Sequence, residues 1–172
     1  MSSVWFIGDL HAGHKNVHKF RTQFSSEEEH FQAMKESYHS VVGKRDKVFF
    51  MGDTAFTLER LKDVSTWTAG SKVLIVGNHD LDQLDMKTVS MYYDEVYAFC
   101  RYKEFWLSHC PIHPDELRGR LCIHGHTHDY KIDDPRYFNT SLENTGFKPI
   151  ELNQIKKQFE FQLKGMRYGR QS

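Results

Sequence analysis

Five short segments hold the residues of this chain that could do chemistry: Asp9-Leu10-His11, Gly52-Asp53, Gly77-Asn78-His79-Asp80, Ser108-His109 and Gly125-His126-Thr127-His128. Each follows a short apolar run, so each is expected where a strand ends. Together they supply carboxylates, imidazoles and an amide, a donor set that suits a pair of divalent transition-metal ions. Alternate residues of an extended segment point to one side, so Asp9 and His11 are expected to reach one ion together, and His126 and His128 to point to one side. Asp53 has two oxygens with which to bridge two ions, and Asn78 offers a neutral carbonyl oxygen. Two divalent ions bring four positive charges, against which Asp9 and Asp53 set only two negative ones. Such a site stays cationic and attracts phosphate. A bound metal lowers the pKa of its water from 15.7 to about 7, which makes hydroxide available at neutral pH.

Strands must deliver these residues, and the apolar runs supply them. Val4–Ile7 precedes the first segment, Lys47–Met51 the second and Lys72–Val76 the third. Between the first two, Ser25 with Glu28, or Ser26 with Glu29, forms a capping box. Phe31, Met34, Tyr38 and Val42 then recur at helical spacing, with Gly43 as the stop. Leu58, Leu61 and Val64 mark a second amphipathic helix closed by Gly70. This alternation predicts an α/β architecture with parallel pairs, and ligands of open α/β sheets bind beyond the carboxyl ends of the strands. The second half changes character. Glu95–Cys100, Tyr102–Leu107, Leu121–Ile123 and Arg136–Leu142 read as short strands with little helix between them, which suggests a second, antiparallel sheet. Asn153 caps a last helix with Ile155, Phe159 and Leu163 on its apolar face. From Gly165 the chain reads as a frayed basic tail. No repeat, low-complexity tract or linker interrupts it, so residues 1–172 are expected to form a single domain with 165–172 as a flexible tail.

Charge is balanced at 23 Lys+Arg and 23 Asp+Glu, so there is no broad footprint for nucleic acid or an acidic membrane. Cys100, Cys110 and Cys122 are odd in number and lack CxxC spacing, which argues against a disulfide framework or a cysteine zinc site. All three are expected in or beside buried strands, as small hydrophobes. There is no signal-peptide pattern at the N-terminus and no membrane-length apolar run; a reducing, cytoplasmic setting is expected. Trp5, Phe49, Phe50, Phe105 and Trp106 read as core residues, not base-stacking platforms.

The ordered set Asp9-x-His11, Gly52-Asp53, Gly77-Asn78-His79-Asp80, His109 and Gly125-His126-x-His128 resembles the calcineurin-like metallophosphoesterase superfamily. Gly8–Asn16, Ser108–Pro114 and Arg136-Tyr137-Phe138-Asn139 look like its small, single-domain bacterial and phage branch. The resemblance implies an α/β four-layer sandwich of two mixed β-sheets flanked by helices. It implies that Asp9, His11, Asp53 and His128 hold one metal, that Asp53, Asn78, His109 and His126 hold the other, and that a water or hydroxide between them is the nucleophile. His79 would protonate the leaving oxygen or stabilise the phosphoryl group, and Asp80 would support its loop. The family's second motif often continues with polar residues; Thr54-Ala55-Phe56 follows here. The cofactor expected is a pair of divalent ions, Mn2+ first and Fe, Zn or Ni after it.

The absence of a cap insertion suggests an open site and phosphodiester substrates such as small or cyclic nucleotides. A phosphomonoesterase or protein phosphatase is the rival within the class, a nuclease a weaker one, and a scaffold that keeps the fold without the chemistry lies outside it. His14, His113 and Arg136 are candidate contacts to substrate phosphate. Arg118 and Arg120 read as solvated, and His124 as a core residue or a partner of a metal ligand. His18, His30 and His39 are expected on the surface.

Overall fold

The computed structural model describes residues 2–169. Met1 and residues 170–172, the end of the expected tail with Arg170, lie outside the described residues. One sheet has the order β4-β3-β2-β1-β9, from strands β1 (Val4–Ile7), β2 (Lys47–Phe50), β3 (Ser71–Ile75), β4 (Glu95–Tyr97) and β9 (Ile150–Glu151). β1 to β4 are mutually parallel, and β9 runs antiparallel to β1. The other sheet has the order β5-β6-β7-β8, from β5 (Phe99–Tyr102), β6 (Phe105–Ser108), β7 (Leu121–His124) and β8 (Tyr137–Asn139). The helices are α1 (Val17–Phe20), α2 (Glu27–His39), α3 (Leu58–Ser65), α4 (Met86–Ser90) and α5 (Leu152–Gly169). Two mixed sheets with helices around them are the architecture expected.

Both faces of the first sheet are buried, and side chains alternate between two cores. Ile7, Val48, Phe50 and Leu74 face Phe31, Met34 and Tyr38 of α2, Leu61 and Val64 of α3, and Val89 of α4. Phe6, Phe49, Met51, Val73 and Ile75 meet Phe105, Leu107 and Ile123 of the second sheet. The α5 residues Leu152, Ile155 and Phe159 close this inter-sheet core, with Phe159 stacked on Phe105 at 5.6 Å. Each fully buried large apolar side chain contributes about 1.5–3 kcal/mol. The outer face of the second sheet is covered by Leu117, from a short 3₁₀ turn, and by Ile112 and Ile132.

Local signals chose between the sequence alternatives. Ser26 is the cap of α2, its hydroxyl accepting from the Glu29 N–H, while the Glu29 carboxylate reaches back to the Ser25 N–H at 2.7 Å. α5 starts at Leu152, one residue before Asn153, and the Gln154 side chain accepts the Glu151 N–H at 3.1 Å. The helix runs through Gly165 to Gly169; one interior glycine costs about 1 kcal/mol, too little to stop a continuing helix.

Three expectations are corrected. Glu95–Cys100 is not one strand: β4 pairs with β3 in the first sheet and β5 with β6 in the second, and the chain changes sheet at Ala98. The second sheet is antiparallel only at β5–β6; β6–β7 and β7–β8 are parallel, their crossovers made of loops and a 3₁₀ turn instead of the usual helix. His30 is fully buried, not on the surface. It precedes Met34 and Tyr38 by four and eight residues, on the apolar stripe of α2, and its Nε2 lies 2.9 Å from the Arg21 guanidinium.

Burial and the Arg21 charge push the His30 pKa down from 6.5 to about 3. The unfolded chain therefore binds more protons between those values. Stability supplied by the neutral ring is complete above pH 6.5 and is lost as pH falls toward 3, at about 1.4 kcal/mol per pH unit for one proton. In thermal melts of metal-free protein, the fall in Tm below pH 6.5 is expected to be shallower for His30→Gln. Parallel slopes would clear His30 of that role.

Candidate metal centre

β1 and β2 stay zipped past their ends. The Asp9 N–H donates to Gly52 O (3.1 Å), the His11 N–H to Asp53 O (2.9 Å) and the Ala12 N–H to Thr54 O (3.0 Å). The Asp80 carboxylate joins the second and third segments by accepting the N–H groups of Thr54 (2.7 Å), Gly77 (2.8 Å) and Asp53 (3.0 Å). Burial raises its pKa to about 6 despite those donors. The fifth segment is tied to the first by the His126 N–H, which donates to the Asp9 carboxylate at 3.0 Å. Asn139 clamps it from behind: its side-chain NH2 donates to Thr127 Oγ1 and His128 O, both at 2.8 Å.

These bonds hold an unusual backbone. Asp9, His11, Asp53, His126 and His128 all have positive φ, between 48° and 70°. Non-glycine residues seldom adopt this region, and they do so where the surroundings over-determine it, commonly at functional sites. Asp9-x-His11 and His126-x-His128 are therefore not extended pairs, as their spacing suggested. Left-handed turns, not strand alternation, aim these side chains: His11 and His128 gather with Asp9, whereas His126 turns to Asn78 and His109. The glycines of the motifs serve close approach: a Cβ on Gly52 would collide with the His109 ring, on Gly77 with the Asp53 carboxylate, and on Gly125 with Asp9.

Asp9 and Asp53 are buried and converge with imidazoles. His11 Nε2 lies 3.8 Å from Asp9 Oδ1 and 3.7 Å from Asp53 Oδ2. His109 Nε2 lies 3.3 Å from the same Asp53 Oδ2. The other oxygen, Asp53 Oδ1, accepts the His79 N–H at 2.8 Å. Asn78 Oδ1 is 3.0 Å from both His109 Nε2 and His126 Nδ1. Candidate ligand atoms of Asp9, His11 and His128 lie within 4.8 Å of one another, as do those of Asp9, Asp53 and His109.

The electrostatics of the cluster favours a cation among these atoms. Burial alone would raise the Asp9 and Asp53 pKa values, but the neighbouring imidazoles outweigh it and hold both low. Burial would lower His109, yet Asp53 and then Asp9 raise it to about 8. The His109 Nδ1–H donates to Met51 O at 2.8 Å, so neutral His109 would point an Nε2 lone pair at carboxylate and amide oxygens. A proton or a metal ion at Nε2 would relieve that, as would donation from His126 Nδ1, 3.2 Å away. His11 Nε2 is buried with no hydrogen-bond partner. The residues present thus fit divalent ions.

His79 lies at the edge of this cluster. Its ring stacks on Phe56 at 5.3 Å and its Nδ1 meets Asp82 Oδ2 at 2.6 Å. His14 sits nearby, its ring 6.0 Å from that of His11. His113 and Arg136 have local partners: His113 accepts the Asp115 N–H at 3.3 Å on a 3₁₀ turn, and Arg136 pairs with Asp134 at 2.6 Å. Arg118 pairs with Glu116, and Arg120 bonds Lys103 O. His124 is buried, its Nδ1 on Gly125 O at 2.7 Å. Cys122 is buried, but Cys110 is exposed, with His109 and His126 as neighbours, because it begins the loop after β6.

Four supporting residues escaped the sequence reading. Buried Arg21 donates to Asp9 O (2.6 Å), Leu10 O (3.3 Å) and Glu143 (2.9 Å). Glu143 Oε1 in turn lies 3.2 Å from His128 Nδ1. Burial opposes its charge, but His128 and Arg21 bring its pKa down to about 2. The Ser141 hydroxyl donates to Asp9 Oδ2 at 2.8 Å, and Asp82 holds His79. Arg21, Glu143 and Ser141 act over long sequence separations with no local spacing to betray them. Asp82 was visible, three residues after His79.

The fold agrees with what known proteins show. The chain belongs to the calcineurin-like phosphoesterase family, whose sequence profile matches residues 2–162. That family comprises metal-dependent hydrolases of phosphate esters and typically binds divalent metals. Gene 66 protein of Mycobacterium phage L5 is 32% identical over 167 residues, spanning 77% of this chain and 80% of the phage protein. Uncharacterized protein MJ1445 of Methanocaldococcus jannaschii is 28% identical across 93% of each chain. The crystal structure of the protein of unknown function AQ665 from Aquifex aeolicus has the same fold, with a TM-score of 0.72 at 24% identity, over 91% of this chain and 99% of its own. No helix among the described residues is long and apolar enough to cross a membrane.

Proposed function

We propose that this protein hydrolyses phosphate esters at a centre of two divalent ions, and that its substrates are phosphodiesters of small or cyclic nucleotides. The observation that carries the reading is Asp53 Oδ2, set 3.7 Å from His11 Nε2 and 3.3 Å from His109 Nε2. One carboxylate oxygen thereby faces both halves of the cluster. Asp9, His11, Asp53 and His128 would hold one ion, and Asp53, Asn78, His109 and His126 the other. When bound, the ions supply Lewis acidity and an acidified water. Oxygen and imidazole donors with no thiolate fit Mn2+, Fe, Zn and Ni, with Mn2+ the first choice.

The chain's own residues do the rest. Asp82 holds Nδ1 of His79, so the protonated ring presents Nε2–H to a leaving oxygen as general acid. Asp80 fixes the backbone of that loop and of Asp53. Glu143 orients His128, and the Met51 carbonyl orients His109. His126 and the His79 ring are solvent-accessible, which leaves room for esters with two substituents.

The test is hydrolysis of a panel of phosphomonoesters, cyclic nucleotides, dinucleotides and short RNA with Mn2+, after chelation and after metal return. The expected result is diester turnover that chelator abolishes and Mn2+ restores. Turnover indifferent to chelator contradicts the metal centre, and preference for monoesters contradicts the substrate class.

A further inference from the structure

A cleft of about 500 Å³ opens beside His11 and His128 and is also lined by His14, Val17 and Phe20, with Asp129 exposed among them. We infer that this cleft receives the planar aromatic group of the phosphate ester, a nucleobase in a nucleotide, stacked on the ring of Phe20. The inference rests on the phosphoesterase reading above for the place of the phosphate.

Phe20 is 79% exposed, although it stands on a one-turn helix whose neighbours are fixed. Val17 is buried under the same turn. Arg21, the next residue, is buried and anchored to Asp9 O, Leu10 O and Glu143. The exposed ring is therefore delivered by a backbone tied to the metal loops themselves. A single exposed aromatic is ordinary; this one continues a row of rings. His14 meets Phe20 edge-on at 6.0 Å and Phe56 at 5.1 Å, and lies 6.0 Å from His11. Two ring-to-ring steps thus join a candidate metal ligand to Phe20, a spacing suited to a phosphate and a base separated by a sugar.

Charge narrows the ligand. The one arginine of the lining, Arg21, is committed to backbone carbonyls and Glu143, and no lysine lines the cleft among the described residues. Asp129 adds a carboxylate. A second phosphate would find no free permanent cation there, whereas a neutral ring finds a stacking face and its amino groups find an acceptor.

Two diester probes, not hydrolysable on the sugar side, separate the claims: the methyl ester of the methylene phosphonate analogue of AMP, and the same phosphonate methyl ester on ribose without a base. Their binding to Mn2+-loaded protein is measured by calorimetry, with wild type, Phe20→Ala and Phe20→Trp. The base-bearing probe is expected to bind wild type about tenfold more tightly than the base-free probe. Phe20→Ala is expected to erase that advantage and Phe20→Trp to keep it. Equal binding of both probes, or a Phe20→Ala loss shared by both, overturns the cleft assignment and leaves the phosphoesterase reading standing. Failure of both probes to bind, together with no ester hydrolysis, removes both.

Discussion

Asp53→Asn is expected to reduce bound metal from two ions per chain to less than one and to lower phosphodiester turnover at least about 10³-fold. The proposed centre would set two carboxylates against four metal charges, and this substitution removes the one that faces both halves. Asp53 Oδ2 lies within 3.7 Å of His11 Nε2 and 3.3 Å of His109 Nε2, whereas Oδ1 is taken by the His79 N–H. An asparagine keeps the shape and loses the charge. Metal contributes several kcal/mol to such reactions, and each 1.36 kcal/mol is a factor of ten. Elemental analysis after dialysis against Mn2+, with circular dichroism to confirm folding, reads the result. Two ions per folded Asp53→Asn chain would show that the carboxylate does not bridge.

His79→Ala is expected to behave oppositely, losing roughly 10²–10⁴ in kcat while keeping both ions. The backbone N–H that donates to Asp53 survives the change, and the ring's own contacts are Asp82, Phe56 and, edge-on at 6.0 Å, His11. A general acid matters most when the leaving group is poor. The loss should therefore shrink for nitrophenyl esters, which depart without a proton. Equal losses on good and poor leaving groups would deny His79 the acid role, and loss of metal would place the ring among the ligands.

How much of this was legible follows from the range of each interaction. β1, β2 and β3 were readable because a parallel strand buried on both faces is a continuous apolar run, and because Gly-Asp or Gly-Asn ends each run. The convergence of their loops followed from strand direction alone. The conformation of those loops did not: positive φ at Asp9, His11 and His128 is imposed by Gly52, Asp53 and Asn139, far away in sequence. The switch of sheets at Ala98 was hidden because β4 and β5 differ only in their partners. His113 and Arg136 were legible as neighbours of the motifs, but their bonds to Asp115 and Asp134 were not. Arg21 and Glu143, 122 positions apart, meet only in the folded chain. His30 alone was readable and misread, since its spacing to Met34 and Tyr38 marks the buried stripe.

The most direct test is the anomalous difference density at the manganese edge of crystals grown with Mn2+. The account predicts two peaks, with Asp53 Oδ2 a ligand of both, His11 and His128 at one and His109 and His126 at the other. A single peak, or two peaks that do not share Asp53, would contradict it.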